Sequence, residues 1–255
     1  MIEVKNLTKI YPISKKEQKK NKIKKYEVKA VEDVSFTANP GEIYALLGPN
    51  GAGKTTALRC ISTLIKPTNG EINVNGFNDS EKIRENISFL TNELKLEDHF
   101  SADFTMNFFG GLRNMTSEKT EERKDYLFDI LKIKGFKNKK IGDLSTGMKQ
   151  KLGIAVSLIH DPDVIIFDEP TNGLDVLTAK IVTDYLIEMK GKNKTIIIST
   201  HVMRVAEKLS DKIGVLIGGH LVMEGTLEKI LLETNTESLD DAFFKLYEIY
   251  GEQDG

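Results

Sequence analysis

The run Gly48-Pro49-Asn50-Gly51-Ala52-Gly53-Lys54-Thr55 constrains this chain more than any other feature. It reads glycine, four residues, then Gly-Lys-Thr, directly after the apolar run Ile43-Tyr44-Ala45-Leu46-Leu47 and at the start of a helix-compatible stretch, Lys54 to Leu64. Strand, glycine-rich loop and helix in that order make a P-loop, a phosphate site built largely from backbone. Its glycines let N–H groups converge on phosphate oxygens, and the helix N-terminus adds partial positive charge. Lys54 is expected to reach the β- and γ-phosphates of a nucleotide such as ATP as a point charge. Thr55 is expected to ligate Mg²⁺, and Thr56 to touch the α/β-phosphate region. Gly48, Pro49, Asn50, Gly51, Ala52 and Gly53 complete this nucleotide-binding set. A turn that only caps a helix would need neither the lysine nor the hydroxyl in that order. The loop alone does not choose among kinases, GTPases, helicases and transport ATPases.

Short apolar runs recur at Val164 to Phe167, Thr195 to Ser199 and Ile213 to Ile217, with helical stretches between them. Such runs fit strands buried on both faces, so a mainly parallel α/β sheet covered by helices is expected. Near the N-terminus the pattern alternates instead, at Ile2, Val4 and Leu7 and again through Ala30-Val31 and Val34-Phe36, which predicts antiparallel, half-buried strands. Between them residues 15 to 25 carry seven lysines without apolar periodicity. That segment reads as a solvated loop; clustered lysines could alternatively meet anionic lipid. From about Asn92 to Gly142 the spacing of Phe104, Phe108, Phe109 and Leu112, and of Tyr126, Leu127, Ile130 and Leu131, predicts an inserted helical block. No fixed-period repeat occurs, so one ATPase unit is expected.

Composition excludes several classes. Lys and Arg total 36 against 38 for Asp and Glu, a net charge of -2 that offers no overall field for nucleic acid, and no nucleic-acid partner is expected. The start Met1-Ile2-Glu3-Val4-Lys5 lacks the basic-then-apolar layout of a secretory signal. Apolar runs fall far short of the roughly 18 to 20 residues that cross a bilayer as a helix. The single cysteine, Cys60, cannot form an internal disulfide and fits a reducing cytoplasm, as a small core residue.

Val164-Ile165-Ile166-Phe167-Asp168-Glu169 is an apolar strand ending in two carboxylates. Acids at the C-terminal edge of a parallel strand sit where such sheets bind ligands. Asp168 is expected to hold Mg²⁺, through its water shell, and Glu169 to orient or deprotonate an attacking water. Two solvated acids at a strand end would be the bland alternative. The neighbours decide against it: Leu144-Ser145-Thr146-Gly147-Met148-Lys149-Gln150 opens a helix upstream, and Thr171-Asn172-Gly173-Leu174-Asp175 follows downstream.

Phosphate loop, Ser-x-Gly helix start, strand with Asp-Glu-Pro and Gly-Leu-Asp, in that order, resemble the ATP-binding cassette (ABC) ATPases over almost the whole chain. The resemblance implies a P-loop NTPase core with a mainly parallel sheet, an antiparallel N-terminal β subdomain and a helical subdomain inserted at about 93–145. One cassette would span 1–235, with a short helical tail at 236–255. Ser145 and Gly147 stand in the family's signature loop, usually Ser-Gly-Gly-Gln, which here departs at Thr146 and Met148. In the family that loop completes the nucleotide site of the other subunit, so a head-to-tail dimer is implied. Asp175 matches the loop that couples the two sites, His201 the histidine that contacts the γ-phosphate, and Tyr11 the aromatic on which adenine stacks. Ser145 and Asp175 would serve equally as helix caps. His99, His160 and His220 show no metal-ligand spacing. Aligning Ile87-Ser88-Phe89-Leu90 with the family's strand puts Asn92 where a glutamine usually links the γ-phosphate to the membrane subunit; Asn92 could bind the metal through water, or Glu93 could do so directly.

Leu90-Thr91-Asn92-Glu93, Ser145 to Lys151 and Glu237-Ser238-Leu239-Asp240-Asp241-Ala242-Phe243 are similar to exporter-type ATPases of the sodium-extrusion, drug and antibiotic-resistance branch. That similarity implies ATP hydrolysis by a homodimer, or a heterodimer with a related subunit. The partner would be a transmembrane permease subunit, with the ATPase cytoplasmic and peripheral on the inner face of the membrane. A soluble ABC ATPase acting on ribosomes or DNA is the alternative; it would normally need a second cassette or a long heptad insertion. A small-molecule kinase would leave Ser145 to Gln150 and His201 unexplained.

Overall fold

The computed structural model describes residues 1–13, 27–91 and 94–251. The lysine-rich segment and the pair Asn92-Glu93 lie outside them. From the N-terminus the chain runs through β1 (Ile2–Pro12), β2 (Glu27–Ala38), β3 (Ile43–Leu47), α1 (Lys54–Ile61), β4 (Asn69–Val74), α2 (Ser80–Asn86) and β5 (Ile87–Leu90). It continues as α3 (Ala102–Leu112), α4 (Ser117–Ile130), α5 (Thr146–Leu158), β6 (Val164–Asp168), α6 (Val176–Gly191) and β7 (Thr195–Thr200). Last come α7 (Met203–Leu209), β8 (Lys212–Ile217), β9 (His220–Gly225), α8 (Leu227–Thr234) and α9 (Leu239–Tyr250).

The larger sheet has the order β5-β6-β7-β3-β8-β9. Every pairing from β5 to β8 is parallel, and only β9 runs antiparallel, on the edge. The expected mainly parallel α/β core is therefore present. Its central strands β3, β6 and β7 are buried at every position, which is why they read as unbroken apolar runs. Strand alternation divides their side chains between two cores. Ile43, Ala45, Leu47, Ile165, Phe167, Ile196 and Ile198 face α5, α6 and the inserted helices. Tyr44, Leu46, Val164, Ile166 and Ile197 face α1 and the smaller sheet. That smaller sheet, order β2-β1-β4, is antiparallel as expected, and Phe36 from it stacks on Tyr44 with ring centroids 4.6 Å apart. Strands β4 and β9 have no counterpart among the expected elements.

The helix opened by the phosphate loop ends at Ile61, three residues before the expected Leu64. Ser62 Oγ turns back to donate to Leu58 O, and Thr63 takes a left-handed φ of 59° that no helix continues. Cys60 is buried in the core on that helix, where burial pushes its thiol up to about 11. Between 94 and 142 the described residues form helices and short 3-10 turns rather than strands. The α3 stripe faces an unexpected way. Phe104, Phe108 and Leu112 are exposed, whereas Ala102, Thr105, Met106 and Gly110 are buried. Gly110 explains it: a Cβ there would lie 2.5 Å from Thr120 Cγ2, so α3 meets α4 along its small side chains.

One half-buried histidine ties the insertion side of the sheet to β5. His160, just past α5, holds Ile87 O at 3.1 Å through Nε2, while its Nδ1 is buried without a hydrogen-bond partner. Burial, aided by the Arg113 guanidinium, pulls its pKa from 6.5 to about 4. The unfolded chain therefore binds more protons between those values, so stability is full above pH ~6.5 and falls as the pH drops toward ~4. The loss from this group is up to about 3 kcal/mol, at roughly 1.4 kcal/mol per pK unit. His160→Gln should shrink the drop in Tm between neutral pH and pH ~4.5; an undiminished drop would remove His160 as its source.

Candidate functional site

In the large sheet the chain moves to one side of β3 for β5, β6 and β7, and to the other for β8 and β9. Such a reversal opens a crevice at the carboxyl ends of the strands. The glycine loop leaves β3 at that point. Gly48 N–H donates to Thr200 O and Gly219 N–H to Ala52 O, so neighbouring strand ends fasten the loop at both sides. Gly53 adopts φ +99°, and a Cβ on it would sit 2.1 Å from Ala30 O. Only glycine fits there. The resulting cleft, about 190 Å³, is lined by Ala30, Asn50, Gly51, Ala52, Gly53, Lys54, Thr55, Thr56 and Glu169.

Inside it the charged groups converge. Lys54 Nζ donates to Gly48 O at 2.7 Å and Pro49 O at 3.0 Å, and lies 3.7 Å from Glu169 Oε1. Burial draws its pKa below the ordinary lysine value, against the opposite pull of Glu169 and Asp168. Thr55 Oγ1 donates to Asp168 Oδ2 at 2.7 Å. Glu169, the first residue past β6, takes a left-handed φ of 53° that turns its side chain from the strand path. Its Oε1 accepts from His201 Nδ1 at 2.7 Å, beyond the end of β7. Lys54, Thr55, Asp168, Glu169 and His201 thus form one contiguous cluster.

Hard oxygen donors suit Mg²⁺, which keeps several waters and binds through one or two protein groups plus phosphates. The Thr55 hydroxyl and Asp168 carboxylate, already in contact, fit that role. Among the described residues no group of three or more His, Cys, Asp or Glu could hold a metal.

The other expected residues stand apart. Ser145 caps α5, accepting from Met148 N–H at 3.3 Å, and Asp175 caps α6, accepting from Leu177 and Thr178 N–H at 3.0 Å each. These two loops adjoin: a Cβ on Gly147 would lie 3.4 Å from both Asp175 Oδ2 and Thr178 Oγ1. Among the described residues no hydrogen bond or ion pair joins Ser145, Gly147 or Asp175 to the phosphate loop. Tyr11, near the end of β1, is 38% exposed, with Lys9 Nζ 5.1 Å from its ring centroid. Asn92 and Glu93 fall outside the described residues. Two further residues touch the site. Ala30 supplies the carbonyl that excludes a side chain at Gly53, and Ser199 bonds to Asp168 and to the Glu169 amide. The sequence offered only a serine between Ile198 and Thr200, and it is the register Asp168↔Ser199 that brings it to the site.

Comparison with known proteins agrees with this geometry. The family described as ABC transporter matches residues 31–172. The ABC transporter ATP-binding protein NatA of Bacillus subtilis is 37% identical over 224 residues, covering 86% of this chain and 91% of that protein. The daunorubicin resistance ATP-binding protein DrrA3 of Streptomyces coeruleorubidus is 31% identical over 215 residues, 83% of this chain and 68% of that one. A solved ATP-binding subunit of an ABC transporter superposes with TM-score 0.85 at 27% identity, over 96% of this chain and 99% of its own. A dimeric cassette in a post-hydrolysis state with ADP and Pi gives TM-score 0.77 at 26% identity, over 89% and 99%. The chain belongs to the ABC transporter family and is an ATP-hydrolysing cassette of that family.

Proposed function

We propose that this chain is the motor subunit of a membrane exporter, binding MgATP at a head-to-tail dimer interface and driving a separate permease subunit. The observation that carries it is the convergence of Lys54, Thr55, Asp168, Glu169 and His201 on one glycine-lined cleft. Lys54 and the loop N–H groups between Asn50 and Thr56 hold the phosphates, and Tyr11 offers a ring face to adenine. Thr55 and Asp168 hold Mg²⁺, which neutralises charge on the transferred phosphoryl group. Glu169 accepts the proton of the attacking water, with its carboxylate oriented by His201, which also serves the γ-phosphate. A cassette at 1–235, with its helical subdomain at about 93–145 and tail at 236–255, supplies all of these groups.

Dimerisation is supported by the separation of the signature loop from the cleft. Ser145, Gly147 and Asp175 share one face, flanked by Val176 and Leu177, which are 84% and 75% exposed. A second copy would bring that face onto this cleft. Docking to a permease on the inner face of the membrane is supported by an exposed apolar surface of a kind that marks interaction sites. A groove of about 630 Å³ lies between Leu64, Phe89, Leu94, Leu112 and Arg113, with Leu64 60% and Leu112 61% exposed, and Thr91 and Leu94 flank the coupling positions 92–93. No helix of the described residues is long and apolar enough to cross a membrane. Purification from native membranes should recover one integral membrane protein with this chain; recovery of ribosomes or DNA without it would favour the soluble alternative.

A further inference from the structure

Resting on the assignment of Asp168 to the metal and Glu169 to the water made above, we infer that Ser199 is a positioning residue for both acids. Ser199 sits in β7 directly opposite Asp168 and is fully buried. Its Oγ donates to Asp168 Oδ1 and accepts from Glu169 N–H at 3.0 Å. The same N–H also reaches Ser199 O at 3.2 Å. One hydroxyl therefore fixes the carboxylate rotamer of Asp168 and ties down the amide of a residue held at φ 53°. Non-glycine residues enter that conformation only when their surroundings hold them there.

The division of labour at Asp168 makes this more than a satisfied buried hydroxyl. Its Oδ2 accepts from Thr55, which is itself assigned to the metal, while its Oδ1 accepts from Ser199, whose hydroxyl, among the described residues, otherwise bonds only the Glu169 amide. Of the two hydroxyls, only that of Ser199 serves the acids alone. Outer partners of this kind orient metal-binding carboxylates, and removing one typically lowers metal affinity or activity about 10- to 100-fold. At Glu169 the same hydroxyl acts through the backbone, keeping the side chain aimed at Lys54 and His201.

The test compares Ser199→Ala, Ser199→Cys and Ser199→Thr in the full chain. Mn²⁺ affinity is read by electron paramagnetic resonance with a non-hydrolysable ATP analogue, alongside kcat, KM and Tm. Loss of the hydroxyl should weaken Mn²⁺ binding about tenfold and lower kcat by about 10- to 100-fold, with KM at saturating metal changed little. Thr, which keeps the hydroxyl, should restore most of both. Cys nearly conserves the volume of serine but donates weakly, so it keeps the test decisive if the Ala variant fails to fold. A folded Ser199→Cys with native Mn²⁺ affinity and native kcat would overturn the inference, whatever its Tm. Asp168→Asn separates the two levels. If it too binds Mn²⁺ normally, the assignment of Asp168 falls and this inference with it; if it alone loses the metal, only Ser199 is wrongly assigned.

Discussion

Glu169→Gln should lower ATP turnover by about a hundred- to ten-thousandfold, the span a positioned general base contributes, while leaving nucleotide binding intact. The amide keeps the size of the carboxylate and an oxygen for His201 Nδ1, which now lies 2.7 Å from Oε1. It cannot take a proton from water. It also removes a negative charge 3.7 Å from Lys54 Nζ, which favours rather than hinders an incoming polyphosphate. Nucleotide should therefore accumulate unhydrolysed, and with it the dimer. Size-exclusion chromatography with ATP, set beside a phosphate-release assay, checks both. Near-native turnover would remove Glu169 as the catalytic base.

Lys54→Ala should act one step earlier, on binding itself. The ammonium answers the carbonyls of Gly48 and Pro49 and faces two acids, Asp168 and Glu169. Alanine leaves those acids without a cation beside a ligand that is itself strongly anionic. Loss of one charge-assisted contact and gain of that repulsion together should cost about 3 kcal/mol or more, roughly a hundredfold in Kd. Fold stability should fall as well, because two carbonyls lose their donor and two largely buried acids lose their counter-charge, offset in part by the shedding of a desolvated ammonium. A fluorescent-nucleotide titration reads the affinity, and a melting curve guards against misfolding. Native affinity in a folded variant would mean the loop backbone suffices.

Much of the site was legible because its chemistry is local in sequence. Gly48 to Thr56 occupy consecutive positions, and Asp168 and Glu169 end a run whose unbroken apolar character follows from burial on both faces. What was illegible depends on partners far along the chain. Strand β4, Asn69–Val74, and the edge strand β9, His220–Gly225, are half-buried and polar enough that only pairing with β1 and β8 makes them strands. Ser199, which follows three isoleucines, takes its place in the site only through the register that sets it opposite Asp168. On α3 the spacing of Phe104, Phe108 and Leu112 told helix but not orientation, since the close approach at Gly110 packs the small side chains inward.

That outward-facing stripe also bears on how a cell must make this protein. Leu64, Leu94, Phe104, Phe108 and Leu112 are all exposed, so a copy on which no partner covers them carries an adhesive surface into a crowded solution. Uncovered copies would be the ones to self-associate or meet the degradation machinery, and under the proposed docking to a permease, matched production of the two subunits follows as a physical requirement.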